Sequence, residues 1–406
     1  MSSSPCRRGD VVIVGASVRG LAASAARAGH AVHAIDLFGD RDLRAVASTV
    51  LEARPYPAGL PAAVAMCPPG PVIYSGALEN HPELLAAIAR ERCLAGCPPQ
   101  AVAAVRDPEP LAVALRAAGL AFPETRSDPT GLPEDGSWIV KPRRSAGGHG
   151  IEPWHGATAS QDRRDDVVWQ RRVAGRPLAA AFLLAAERSR LVGASRQLVG
   201  RRWCHARPFH YCGSLDLDPA TLALAVREQL DRLGGLLGER FGLVGLVGVD
   251  IVVDRDGRLH VIEVNPRPTA SMELVERATG LSLATAQLAA CGLAPPPAAP
   301  RPRDGAWSKA ILFARHDTAI DEARIAALEA LAGPPREGWP MLADIPRPPQ
   351  VIPAGRPICT LFAHAPTPRA SLARLRRLTR AAAAALGGGL SPPSDARPGA
   401  GRPGTA

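Results

Sequence analysis

Residues 11–14 are an uninterrupted apolar run leading into Gly15-Ala16-Ser17-Val18-Arg19-Gly20, an alanine-rich stretch to about residue 28, and a second strand-like segment over 31–35 that ends at Asp36. The order strand, glycine turn, helix, strand predicts parallel pairing, because the helix must carry the chain back along the sheet before the next strand starts. The chain therefore opens as an open α/β layer. Its turn presents backbone N–H groups at a helix start, a natural place for an anion. The alternation continues through an apolar run at 72–73 and helical patterns at 82–90 and 108–118.

The turn supports two readings. Gly15-x-Ser17-x-x-Gly20 with Asp36 downstream approximates a dinucleotide fingerprint and would make the chain an NAD(P)- or FAD-binding oxidoreductase. Ser17, however, occupies the place of the glycine that lets backbone approach a pyrophosphate. The other reading is a structural half-domain bordering a substrate cleft, with Asp36 serving local hydrogen bonds.

Further along, residues 167–173 read as a strand interrupted by Gln170 and ending in Arg171, Arg172 and Val173, followed by paired strands at 178–184 and 191–199. A helix is expected over 219–237, then a hairpin of 247–253 and 259–265 about Asp256-Gly257, then a helix over 272–279. Residues 295–302 are a proline-rich crossing, and the Gly/Pro/Ser/Arg-rich end is expected to be disordered.

Only two of the 48 basic residues are lysine, Lys141 and Lys309. A chain that so consistently uses arginine has a reason to place a lysine's compact, mobile charge at one point. Lys141 follows the strand-like residues 138–140 and precedes Arg143-Arg144-Ser145-Ala146-Gly147-Gly148-His149-Gly150. The combination suits phosphate, with Gly147, Gly148 and Gly150 letting a mobile cover donate backbone N–H groups. It is not a Walker loop, since no G-x-x-x-x-G-K-[ST] occurs.

The later hairpin supplies the complementary charge. Glu263 and Asn265 share one face of a strand, and folding back about the turn brings Asp250 alongside Glu263. Oxygen donors on stiff strands suit Mg²⁺, with Mn²⁺ as a substitute.

Trp138-Ile139-Val140-Lys141-Pro142 with its glycine loop, then Gly248-Val249-Asp250, then Val261-Ile262-Glu263-Val264-Asn265-Pro266-Arg267 together resemble the ATP-grasp superfamily. The likeness is to its carboxylate–amine ligases and predicted carboligase-like members related to biotin carboxylase. It implies an α/β and α+β fold: a Rossmann-like domain over 10–100 and an ATP-grasp domain of two α+β lobes over 101–292; the chain's own pattern adds a small mixed C-terminal domain over 303–377 and a largely disordered tail over 378–406. The resemblance implies that Asp250, Glu263 and Asn265 hold magnesium and that Lys141 contacts ATP phosphates. The glycine loop with His149 covers them, and Gln170, Arg171, Arg172 and Val173 form the hinge beside adenine. Arg267 faces the transferred phosphate, and Arg106 stands where relatives carry an ATP-binding lysine. The hinge departs from the pattern in lacking a nearby ribose-binding acid, with Glu187 much later. The expected reaction joins a small-molecule carboxylate and an amine through an acyl phosphate; a non-catalytic ATP-binding regulator is the other alternative.

Ser17 and Arg19 are expected to face the non-nucleotide substrate by the same resemblance. The patch over 201–213 adds Arg207 and His210 as substrate candidates, while Cys204, His205, His210 and Cys212 offer a zinc set of unusual spacing. The net charge of +10 comes from scattered arginine pairs, without a basic helix or an aromatic RNA-reading pattern, so anionic small substrates are favoured over nucleic acid. No apolar run predicts a membrane span, and eight cysteines without a CxxC pair suit the cytoplasm. A homodimer is also expected.

Overall fold

A computed structural model of the protein describes residues 9–156, 166–186 and 188–387. The first layer holds β1 (Asp10–Val14), β2 (Ala31–Asp36), β3 (Thr49–Glu52) and β4 (Val72–Tyr74), all parallel in the order β3-β2-β1-β4. Helices α1 (Arg19–Arg27), α2 (Arg41–Val46) and α3 (Leu60–Ala65) connect them, and α4 (Pro82–Glu91) follows. Residues 11–14 are buried throughout, as a parallel strand covered on both faces requires.

The glycine turn is closed by protein. A Cβ on Gly15 would lie 2.5 Å from the Ser75 carbonyl oxygen, and the Ala16 N–H donates to the Gly76 carbonyl at 3.1 Å. The buried Asp36 carboxylate accepts from the N–H groups of Val18, Phe38 and Gly39, each at 2.8 Å. Asp36 therefore organises its own loop, which favours the structural reading of this half-domain over the dinucleotide one.

Two helices, α5 (Pro99–Arg106) and α6 (Pro108–Ala117), lead to a small antiparallel sheet of β5 (Thr125–Arg126), β6 (Trp138–Pro142), β7 (Glu152–Pro153) and β8 (Val167–Arg171), ordered β5-β8-β6-β7. Leu132, Trp138, Trp154 and Trp169 give this lobe its own core.

The main sheet contains β9 (Arg176–Ala185), β10 (Arg188–Val199), β11 (Tyr211–Leu217), β12 (Gly245–Val253), β13 (Leu259–Asn265) and β14 (Ala306–Phe313). A two-stranded ribbon, β15 (Thr318–Ile320) with β17 (Gln350–Ile352), brackets β16 (Leu342–Ala343) in the chain, and β18 (Pro357–Ala365) follows it. The sheet is antiparallel in the order β13-β12-β9-β10-β11-β14-β18-β16. Helices α7 (Leu224–Phe241), α8 (Met272–Thr279), α9 (Leu283–Ala290), α10 (Glu322–Ala332) and α11 (Pro368–Leu386) complete the chain. One core runs from β1, β4 and α4–α6 into β9, β12, β13 and α7, tying the first layer to the sheet.

Three expectations change. Residues 303–377 do not stand apart: β14 pairs with β11, Ser214 opposite Lys309, so the C-terminal region extends the main sheet and covers what would be an open edge. The expected tail is helical as far as Leu386, because Thr367 caps α11 at the Ala370 N–H and alanine fills its last turns. Residues 388–406 and Glu187 lie outside the described residues. The helix expected from 219 begins at Leu224, after a separate 3₁₀ turn at Pro219–Thr221. Among the described residues no helix is long and apolar enough to cross a membrane.

Candidate active site

The β12–β13 register places Asp250 opposite Glu263 and Gly248 opposite Asn265, with a bulge after Asp250. The Asp254 carboxylate fixes the hairpin turn by accepting from the N–H groups of Asp256 (3.0 Å) and Arg258 (2.9 Å). Gln197 on β10 donates to Asp250 Oδ1 at 2.7 Å, and Asn265 Nδ2 reaches Asp250 Oδ2 at 3.3 Å.

Burial and the neighbouring Glu263 push Asp250 up to about 7. Burial would raise Glu263 as well, but Lys141, Arg106 and Arg267 outweigh it and hold Glu263 down to about 2. Two partly buried carboxylates driven apart in this way, beside a side-chain amide, form a hard oxygen donor set of the kind a divalent cation takes. Asp250, Glu263 and Asn265 thus fit Mg²⁺. Among the described residues no three His, Cys, Asp or Glu side chains gather as a metal set, so the zinc expectation fails. Cys204 and Cys212 are buried with their sulfurs turned to the carbonyls of Cys212 (3.8 Å) and Leu198 (3.2 Å), and His205 meets the Phe313 carbonyl at 3.1 Å.

Lys141, at the end of β6, donates to the Ile262 carbonyl at 3.3 Å and stands 3.7 Å from Glu263 Oε2. It lines a cavity of about 280 Å³ between the small lobe and the main sheet, together with Glu79, Arg106, Phe122, Gln170 and Glu263. Arg106, on the last turn of α5, pairs with Glu263 and donates to Asn80 Oδ1 at 2.9 Å. Gln170 is buried in the wall, its amide donating to Thr125 Oγ1 at 3.1 Å. Arg171, Arg172 and Val173 do not line the cavity; the backbone N–H groups of Arg171 and Arg172 are held by the carbonyls of Glu124 (2.8 Å) and Ser137 (2.9 Å).

The glycine loop is folded down onto the segment before β11. The Gly147 carbonyl accepts from the Tyr211 N–H at 3.0 Å, and the His149 and His210 rings lie 4.3 Å apart. Gly148 has φ +81°, and a Cβ there would come within 2.1 Å of the Phe209 carbonyl oxygen. Only glycine fits both constraints.

Arg267 leaves β13 and crosses to Glu79, with Nε 2.6 Å from Oε2 and a second bond from its terminal nitrogen to Oε1. Arg267 also lies 3.5 Å from Asn265 Oδ1. Burial raises the Glu79 carboxyl, but Arg267 and Arg106 overcome it and hold the group below its ordinary range. Beyond this pair opens a second cavity of about 370 Å³, walled by the first layer, the glycine loop and the C-terminal strands.

Residues 109–271 match the ATP-grasp domain family. They are an ATP-grasp domain. Sequence likeness to curated proteins is local: 68 residues are 35% identical to the carbamoyl phosphate synthase large chain of Neisseria meningitidis, covering 17% of this chain and only 6% of that one. Fold likeness extends over nearly the whole chain. Carboxyaminoimidazole ribonucleotide synthase from Aspergillus clavatus, complexed with ATP, superposes with TM-score 0.69 at 16% identity, over 92% of this chain and 98% of that one. The L-amino acid ligase of Bacillus licheniformis superposes with TM-score 0.65 at 13% identity, over 92% and 97%.

Ser17 and Arg19 do line the second cavity, but Arg207 and His210 do not. Arg207 is exposed, and His210 is buried beneath His149, its pKa lowered by burial and by the nearby His149 and Arg207. Arg19 is committed to protein: it forks onto Glu273 at 2.6 and 3.0 Å and reaches Asp344 at 2.9 Å. Several residues of these cavities, Asp40, Glu79, Glu273 and Asp344 among them, and Gln197, which holds Asp250, lie outside the sequence expectations. Glu79 and Gln197 carry no local signal, whereas Lys309, which lines the second cavity and is bound to Glu273 and the Ala270 carbonyl at 3.0 Å each, was flagged only by being the chain's other lysine.

Proposed function

We propose that the chain is an ATP-dependent carboxylate–amine ligase acting on small molecules, forming an amide through an acyl phosphate. The observation that carries this reading is the Glu79–Arg267 pair, whose acid lines the Lys141 cavity and whose guanidinium lines the second one. An ion pair that bridges the walls of two cavities, with its cation on the acceptor side, is where a phosphoryl group would pass between a nucleotide and an acceptor.

In the proposed sequence a substrate carboxylate oxygen attacks the γ-phosphorus of ATP, and ADP leaves. The amine then attacks the activated carbonyl, losing a proton, and phosphate departs with the former carboxylate oxygen. Lys141 orients the nucleotide phosphates, and Arg267 offsets the charge that grows on the transferred group. Magnesium, held by Asp250, Glu263 and Asn265, would supply further neutralisation of phosphate oxygens. The glycine loop with His149 keeps water from the activated acyl group, which would otherwise hydrolyse. No covalent enzyme nucleophile is needed, since positioning and electrostatics suffice for this chemistry.

The fold shared with an L-amino acid ligase and with an ATP-bound ribonucleotide synthase supports the reading. A cytoplasmic setting and a homodimer belong to the same proposal. ADP release measured with Mg-ATP across paired carboxylates and amines tests it: release requiring both partners supports a ligase, and Mg-ATP binding without release across the panel supports the regulatory alternative.

A further inference from the structure

The charged side chains of the second cavity are nearly all satisfied by one another. Arg19 is forked onto Glu273 and bonded to Asp344, Lys309 is bonded to Glu273, and Arg267 is forked onto Glu79. Asp40 is the exception. It stands at the start of α2 without capping it, and its carboxylate makes no hydrogen bond or ion pair with any described residue. It is nonetheless only 9% exposed and lines the cavity.

A carboxyl so largely enclosed without a partner gives up its charge by holding a proton, unless something cationic arrives to take the proton's place. The rest of the wall says what that cation is attached to. Leu21, Phe38, Ile311, Phe313 and Ile358 contribute apolar surface, and Phe38, two residues from Asp40, is exposed beside it. We infer that Asp40 anchors the ammonium group of the amine substrate, and that this substrate is a primary amine on an apolar body. The inference deepens the ligase reading and rests on it only for giving this cavity to the amine partner.

The polarity of the site follows from the same accounting. A carboxylate on the amine substrate would need a cation of its own; Arg19 and Lys309 are occupied by Glu273 and Asp344, and Arg267, paired with Glu79, is the cation assigned to the transferred phosphoryl group. A simple amine is therefore preferred to the corresponding amino acid. Burial, then Asp344, Asp42 and Asp36, raise the Asp40 carboxyl to about 8, with Arg19 opposing, so an ammonium partner also relieves a crowded acidic wall.

Calorimetric titration of the full chain with phenethylamine, phenylalanine and 3-phenylpropionate, without nucleotide, tests the inference apart from turnover. Phenethylamine is expected to bind most tightly, and Asp40→Asn to weaken it by about 10- to 100-fold, the scale of a charge-assisted hydrogen bond. Asp40→Glu is expected to retain part of the affinity, and circular dichroism shows that both variants are folded. Equal binding by Asp40→Asn, preference for the amino acid or the acid, or no binding of phenethylamine overturns the inference. Asp40-dependent binding without ADP release would leave the anchor standing while removing the ligase reading.

Discussion

Glu79 and Arg267 meet in a two-bond ion pair that joins the 3₁₀ turn before α4 to the end of β13, 188 residues apart in the chain. Glu79 is 1% exposed, so its charge has little else to compensate it. The pair serves stability and chemistry at once, and these two roles can be separated. Arg267→Met strands Glu79 and should lower stability by about 3–5 kcal/mol, the usual cost of removing one member of a buried pair. Adding Glu79→Gln should restore much of the melting temperature but not turnover. Recovery of turnover in the double variant would limit Arg267 to a structural role.

Lys141 supplies one of the cations nearest Glu263 and lines the proposed nucleotide cavity. Lys141→Met should reduce kcat/KM for ATP by at least about 100-fold, comparable to loss of one preorganised charge-stabilising donor. Its circular dichroism spectrum should match the wild type. Lys141→Arg should also be impaired, because a planar fork does not replace a point charge at the end of a flexible stem.

Gln197 holds Asp250 in place without belonging to the metal set. Gln197→Leu should raise the Mg²⁺ concentration for half-maximal ADP release by about 10- to 100-fold, as loss of an orienting partner does elsewhere. Asp250→Asn should raise it further. A requirement for magnesium unchanged in both variants would place the ion somewhere else.

Asp40 gives a pH signature to the free protein. The folded carboxyl keeps its proton up to about 8, whereas an unfolded aspartate releases it near about 3.9. Between those values the folded state binds more protons, so this group's contribution to stability falls as pH rises through the window. Asp40→Asn should therefore melt with the wild type near pH 4 and several degrees above it at pH 8.5. Thermal scans of both proteins across that range check the sign.

Much of the site was legible in the sequence because it rests on local patterns. The hairpin turn at Asp256-Gly257 and alternating apolar residues fix the pairing of 251–253 with 259–261; that register alone would set Asp250 opposite Ile262, and the bulge after Asp250 is what sets it against Glu263. The helix over Met272–Thr279 is bounded by a glycine in the left-handed region, which the sequence also displays. What escaped was long-range. Glu79 and Gln197 matter through partners 188 and 53 residues away, and nothing in their own neighbourhoods announces those contacts. The C-terminal strands were read as a separate unit because the pairing of β14 with β11 spans a helical excursion that no local period encodes. Arg207 and His210 looked exposed and chemical in sequence, yet the glycine loop settles on their segment and leaves the cavity to His149 and Tyr211.

The most direct test of the account follows the carboxylate oxygen. With an ¹⁸O-labelled carboxylate, an amine and Mg-ATP, an acyl phosphate requires one labelled oxygen to leave in inorganic phosphate for each amide formed, with ADP as the other product. Mass spectrometry should find that label in phosphate, and Lys141→Met should suppress it together with the amide. Amide formed with unlabelled phosphate, or with the label in AMP, would contradict the mechanism.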